Sequence, residues 1–145
     1  MATKEQDRQQ IAALIEHYRH GFATADIEEL KSIWDQDYEQ IIYIAQEMAA
    51  PMRGWQEVEG YYERIGSLFK HVTTMKVSDV AIDILGEIAL AFLHFHFEGE
   101  LKGQLHMADG RVSFVLQRKS GLWKVIHYHE SHPLEATSLK TQTQA

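Results

Sequence analysis

The stretch from Gly110 to Pro133, GRVSFVLQRKSGLWKVIHYHESHP, admits few structures. Apolar and polar residues alternate on both sides of a Ser-Gly pair, the period of strands that bury one face. It reads as two long antiparallel arms of a hairpin. Lys119-Ser120-Gly121 fits a three-residue loop that ends at positive φ, which Gly121 accepts without steric cost. In that register Arg118 stands opposite Leu122, Phe114 faces Ile126, Val112 faces Tyr128, Ser113 faces His127 and Arg111 faces His129. One face then carries Val112, Phe114, Leu116, Ile126 and Tyr128, and the other Arg111, Ser113, Val115, Val125, His127 and His129. A slip of one residue would mix the two sets. The apolar face is the one that meets helices.

Those helices precede it. Ile11, Leu14, Ile15, Tyr18 and Phe22 recur at helical spacing and predict a first helix from about Lys4 to Ala23. Asp26 with Glu29 resembles a capping box, opening a short helix through Ile27, Leu30, Ile33 and Trp34. Tyr38–Ile44, aromatic and β-branched, predicts a strand. Gly54 precedes a third helix, with Trp55, Val58, Tyr62, Ile65 and Phe69 on one stripe. After Lys70 the period becomes two. Strands are expected at Val72–Ile84, Ile88–Phe97, His106–Arg118 and Leu122–Ser131, with turns at Gly86, at Gly99 to Gly103 and at Gly121. Helices followed by a meander of long strands predict an α+β fold, three N-terminal helices packed on a curved antiparallel sheet. Residues 1–134 form one expected domain, and the Thr- and Gln-rich residues 135–145 an expected flexible tail.

Composition excludes several classes. The 145 residues contain no cysteine, so disulfides, zinc-thiolate sites and a cysteine nucleophile are absent. Net charge is −7 and no run of Lys or Arg exists, which argues against nucleic acid as a partner. No apolar stretch approaches the ~18 residues that span a bilayer, and Met1 to Gln10 is too polar for a signal peptide. No membrane association and a cytoplasmic location are expected. Neither a nucleophilic triad nor a phosphate loop or nucleotide fingerprint appears, and no cofactor is implied.

Gly54 opening the third helix, Gly86-Glu87 turning into Ala89, and above all GLWKVIHYHES from Gly121 to Ser131 carry a family resemblance. Over roughly Gln9 to Pro133 the chain resembles the NTF2-like superfamily, in its SnoaL-like branch, and is similar to the association (hub) domain of calcium/calmodulin-dependent protein kinase. The resemblance implies a cone-shaped, cystatin-like fold, a sheet wrapped round a small-molecule pocket, and a homodimer through the outer sheet face. It does not fix a reaction, because the superfamily hosts isomerases, dehydratases, cyclases, hydrolases and non-catalytic domains. Where ketosteroid-isomerase-like members place a general base, this chain has Ala45, with Gln46 and Glu47 nearby. Glu130 stands where the kinase hub has an Arg, and Phe114 where the ungapped hub pattern has another. A more apolar pocket, less welcoming to anions, follows.

The candidates sort by face. Tyr18, Trp34, Tyr43, Trp55, Tyr62, Phe95, Phe114, Tyr128 and Glu130 are the expected pocket residues. Glu130 leads as acid/base candidate, since a half-buried carboxylate can be raised towards neutrality; His106 is a weaker one. His94-x-His96 and His127-x-His129 invite a metal, because alternate residues share a face. With the His106–Arg118 strand between them, the pairs stand about 10 Å apart, against Zn–N bonds of about 2.0–2.1 Å. No metal is expected. His94, His96, Arg111, His127 and His129 then read as interface or an alternative polar site, unless a β-bulge turns the last pair inward. Two functions remain. One is a module binding a small, mostly apolar molecule, favoured by Ala45. The other is a lyase or isomerase of a small carbonyl compound, with Glu130 or His106 moving a proton and Tyr18 or Tyr62 holding the oxyanion. A pocket carboxylate of perturbed pKa with a tyrosine in reach separates them.

Overall fold

Helix α1 spans Lys4–Thr24 and is started by a capping box that the sequence reading passes over. Thr3 Oγ1 accepts from Gln6 N–H at 3.1 Å while Gln6 Oε1 accepts from Thr3 N–H at 2.9 Å. Helix α2, Ile27–Ser32, is capped by Asp26, whose carboxylate accepts from Glu29 N–H. Glu29 does not close that box. Its carboxylate turns to α1 and meets His17 and His20 through Nδ1 at 2.7 and 2.6 Å. Helix α3, Gly54–Leu68, buries Val58, Tyr61 and Tyr62.

The computed structural model describes residues 2–134, the side chain of Lys70 excepted. The expected tail at 135–145 lies outside the described residues. Strands β1 (Ile42–Ile44), β2 (Met52–Arg53), β3 (Phe69–Leu85), β4 (Ile88–Leu101), β5 (Gln104–Lys119) and β6 (Leu122–Ser131) form one sheet in the order β2-β1-β6-β5-β4-β3. All neighbours are antiparallel except β1 and β6. The strand expected at Tyr38–Ile44 is thus shorter, because Tyr38 N–H is already held by the Asp35 carbonyl at 3.2 Å in a turn. The helices cover one face, and the α+β expectation stands. Register shifts in β3, one of them at Asp79 with φ 53°, bend that strand and curve the sheet around the helices. Among the described residues no helix is long and apolar enough to cross a membrane.

The β5–β6 hairpin differs from its expected register. Lys119 pairs with Leu122, so the loop has two residues, Ser120 and Gly121, both at positive φ (53° and 77°), as the twist of a two-residue hairpin demands. Pairing then passes from Leu116–Val125 to Val115–His127, which leaves Ile126 as the extra residue of a β-bulge. The bulge reverses parity. Trp123 and Val125 face the helices before it, and Tyr128 and Glu130 after it, while Ile126 is only half-buried. Val125 and Ile126 therefore exchange the faces expected of them. Phe114 pairs with Tyr128, Ser113 with His129 and Arg111 with Ser131. His127 and His129 stay on the outer face, since the bulge redirects the turn-proximal half of the strand and not the distal half.

One ion pair ties the first helical turn to the far end of the sheet. Buried Asp7 accepts from Trp123 Nε1 at 2.9 Å and from Arg118 Nη1 at 2.7 and 2.8 Å, and Arg118 also holds Glu87.

Candidate functional site

A cavity of about 280 Å3 lies between α1, α3 and the curved ends of β3, β4 and β5. Tyr18 and Phe22 come from α1, Tyr61 and Ile65 from α3, and Phe69 and Met75 from β3. Phe95, Phe97 and Leu101 come from β4, and His106, Met107 and Ala108 from β5. Glu130 of β6 closes the wall with Gln46 and Glu47, which follow β1. The exposed members are Glu47, His106 and Met107, so the cavity opens between β5 and the segment after β1. Two glycines make room for its rings. Gly110 sits directly across from Phe95, and a Cβ there would stand 2.4 Å from that ring; one at Gly99 would stand 2.8 Å from Phe97.

The polar centre of the cavity is Glu130, only 8% exposed. Tyr128 donates to its Oε1 at 2.6 Å and Tyr43 at 3.4 Å, while Gln46 N–H donates to Oε2 at 3.2 Å. All three donors are neutral. Burial pushes the carboxyl up to about 7, and the Glu47 charge pushes in the same direction against those hydrogen bonds. Tyr128 has one proton and gives it to the carboxylate, so in the 3.0 Å contact between Tyr18 Oη and Tyr128 Oη the donor is Tyr18. Tyr18, Tyr128 and Glu130 form a chain from cavity wall to carboxylate. Burial, reinforced by the Glu130 charge, raises the hydroxyl pKa values of Tyr18, Tyr43 and Tyr128, which keeps them protonated as donors. Nearer the mouth Tyr61 Oη donates to Glu47 Oε1 at 2.9 Å. Gln46 Oε1 is buried and has no hydrogen-bond partner among the described residues.

Of the nine expected pocket residues, Tyr18, Phe95 and Glu130 line the cavity; so does His106, at its mouth. The other six do not. Trp34, Tyr43, Tyr62, Phe114 and Tyr128 are sealed core, with Trp34 Nε1 donating to Tyr62 Oη at 2.9 Å and Trp34 stacked on Tyr43 at 5.7 Å between ring centroids. Trp55 is half-buried away from the cavity. Tyr43 and Tyr128 bear on the site through Glu130. The reading missed Tyr61, which sits about 100° round the helix from Tyr62, and Phe97, which the alternation with Phe95 makes legible. Gln46 and Glu47, which the family pattern puts beside Ala45 at the general-base position, also stand in the wall.

His94, His96, Arg111, His127 and His129 share the outer face. His96 Nε2 meets Glu98 and Nδ1 meets Asp109, each at 2.7 Å, and these bonds raise its pKa. His94 lies 3.5 Å from Asp79. Arg111 pairs with His94 across the strands and donates from Nε to Ser131 Oγ at 3.1 Å; it does not face His129. Burial, with the neighbouring His129, lowers the pKa of His127. Strand β5 separates the two histidine pairs.

Solved structures share this fold. An NTF2-like superfamily protein from Salmonella enterica serovar Typhimurium superposes with a TM-score of 0.80 at 24% identity, over 92% of this chain and 96% of that one. An NTF2-like protein from Streptomyces avermitilis, provisionally named a dehydratase, gives 0.78 at 20% identity over 90% and 99%. A domain from Thiobacillus denitrificans, provisionally named a calcium/calmodulin-dependent protein kinase type II association domain, gives 0.71 at 13% identity over 85% and 94%. No curated protein matches the sequence. The SnoaL-like domain family matches residues 11–135, and with the helices, the sheet order and the walled cavity in place, the chain belongs to that family.

Proposed function

We propose that the cavity binds a small, mostly apolar carbonyl compound and that Glu130 moves a proton on it, as a lyase or isomerase. The observation that carries this reading is the buried carboxylate on the cavity wall, raised to about 7 and held by hydroxyls instead of by a cation. Ionised, Glu130 takes a proton from the carbon beside the carbonyl. The C–H pair becomes the C=C bond of an enolate and the carbonyl π pair moves to oxygen. Protonation of Glu130 also changes its neighbours. The proton arrives at Oε2, which has the open lone pair, while Tyr128 and Tyr43 go on donating to Oε1 of what is now a neutral acid. Tyr18 turns its own O–H from Tyr128 to the oxyanion. Return of the proton to another carbon completes an isomerisation; loss of a β-substituent completes an elimination. The dehydratase name of the Streptomyces avermitilis structure is consistent with the second course.

The test is exchange of the α-protons of cyclohexanone in deuterated water, followed by NMR. The native protein is expected to accelerate exchange by about 10² or more over Glu130→Gln. One observation favours a binding module instead: each hydroxyl from Tyr18 to Glu130 already has a partner. Saturable binding of the ketone with no exchange would establish that reading.

The proposal includes a homodimer through the outer sheet face, where Leu85, Ile88 and Leu90 are exposed beside His94, Arg111, His127 and His129. Light scattering is expected to give twice the chain mass, and Leu90→Glu half of that value.

A further inference from the structure

The cavity has a one-sided polarity that proton transfer on a ketone does not use. Its acceptors outnumber its donors. Glu130 Oε2 takes only the Gln46 N–H, so one of its lone pairs is open. Glu47 takes only Tyr61 Oη. Among the described residues no Lys or Arg lines the cavity, and its one histidine, His106, is exposed at the mouth; the rings of Tyr18, Phe22, Tyr61, Phe69, Phe95 and Phe97 make up the wall. Ring faces attract cations. A primary ammonium carries three N–H donors, which the open lone pairs of Glu130 and Glu47 can accept.

We infer that the cavity takes small hydrophobic amines in their ammonium form, the N–H groups at Glu130 and Glu47 and the hydrocarbon among the phenylalanine rings. This deepens the reading of the cavity as the ligand site and does not depend on catalysis there.

The experiment is isothermal titration of the full chain at pH 8 with three probes of one shape: benzylamine, benzyl alcohol and benzoate. Benzylamine is expected to bind at least tenfold more tightly than benzyl alcohol, and benzoate more weakly than either. Glu47→Gln, at the open end where folding is least at stake, is expected to reduce the benzylamine preference severalfold. Equal binding of benzylamine and benzyl alcohol, tightest binding of benzoate, or no binding of any probe would overturn the inference. Exchange of cyclohexanone without an amine preference refutes this inference alone. An amine preference without exchange refutes only the catalytic reading.

Discussion

Asp7 and Glu130 are both buried carboxylates, 4% and 8% exposed, and their environments push them in opposite directions. Asp7 has the Trp123 N–H and the Arg118 guanidinium, and together they hold its pKa below the usual range despite burial. Glu130 has two tyrosine hydroxyls, one backbone N–H and a second carboxylate nearby, and burial wins. A cation at bonding distance keeps a carboxylate ionised at neutral pH and makes it a structural clamp. Neutral donors alone leave it able to change protonation near neutral pH, which is the property of an acid/base group.

Glu130→Gln should have the largest effect on function, a loss of about 10²–10⁴ in exchange rate. Native activity should rise with pH through about 7, as the base ionises. The same variant tests the stability side. Below about pH 4.5 the carboxyl is protonated folded and unfolded; from there to about 7 the unfolded chain ionises first, so stability falls with rising pH. Urea unfolding at pH 8 and pH 5 should show the variant gaining about 2.5 kcal/mol on the native protein between those two pH values.

Asp7→Asn should do the reverse. Its lowered pKa contributes stability above the unfolded value, lost as pH falls through the folded one. Thermal melts should therefore show the variant less stable at pH 7 and closer to native as the solution is acidified, with exchange activity of the folded protein unchanged. A loss of activity equal to that of Glu130→Gln would erase the distinction between clamp and acid. Tyr128→Phe sits between them. It leaves buried partners unmet at about 1–3 kcal/mol, and by removing a donor it should move the activity-pH midpoint upward. The smallest effect is expected at exposed Glu39, in the turn before β1: Glu39→Gln should change stability by less than about 0.5 kcal/mol and leave exchange alone.

Much of this architecture was legible in the chain. The first helix, its apolar stripe and the four long strands lie where periodicity places them, because each element buries one face and repeats its pattern over many residues. Glu130 was legible through its place in GLWKVIHYHES. The bulge at Ile126 was not. Val-Ile is apolar on both sides, so the pattern offers no penalty for either register, and the two-residue loop decides. The tyrosines were harder still. Tyr18, Tyr43, Tyr62 and Tyr128 look equally inward, yet only Tyr18 meets the cavity.

By itself the sequence determined the order of elements, the face each strand presents over most of its length, and the absence of cysteine chemistry. Those depend on local period and composition. Tertiary structure decided which carboxylate is held ionised and which is raised towards neutrality, because a pKa depends on groups distant in the chain: Trp123 and Arg118 for Asp7, Tyr43, Gln46 and Glu47 for Glu130. It also decided where the core stops and the cavity begins. Residues of one stripe are alike in pattern, and only the curvature set by bulges and by Gly99 and Gly110 leaves some of them without a neighbour.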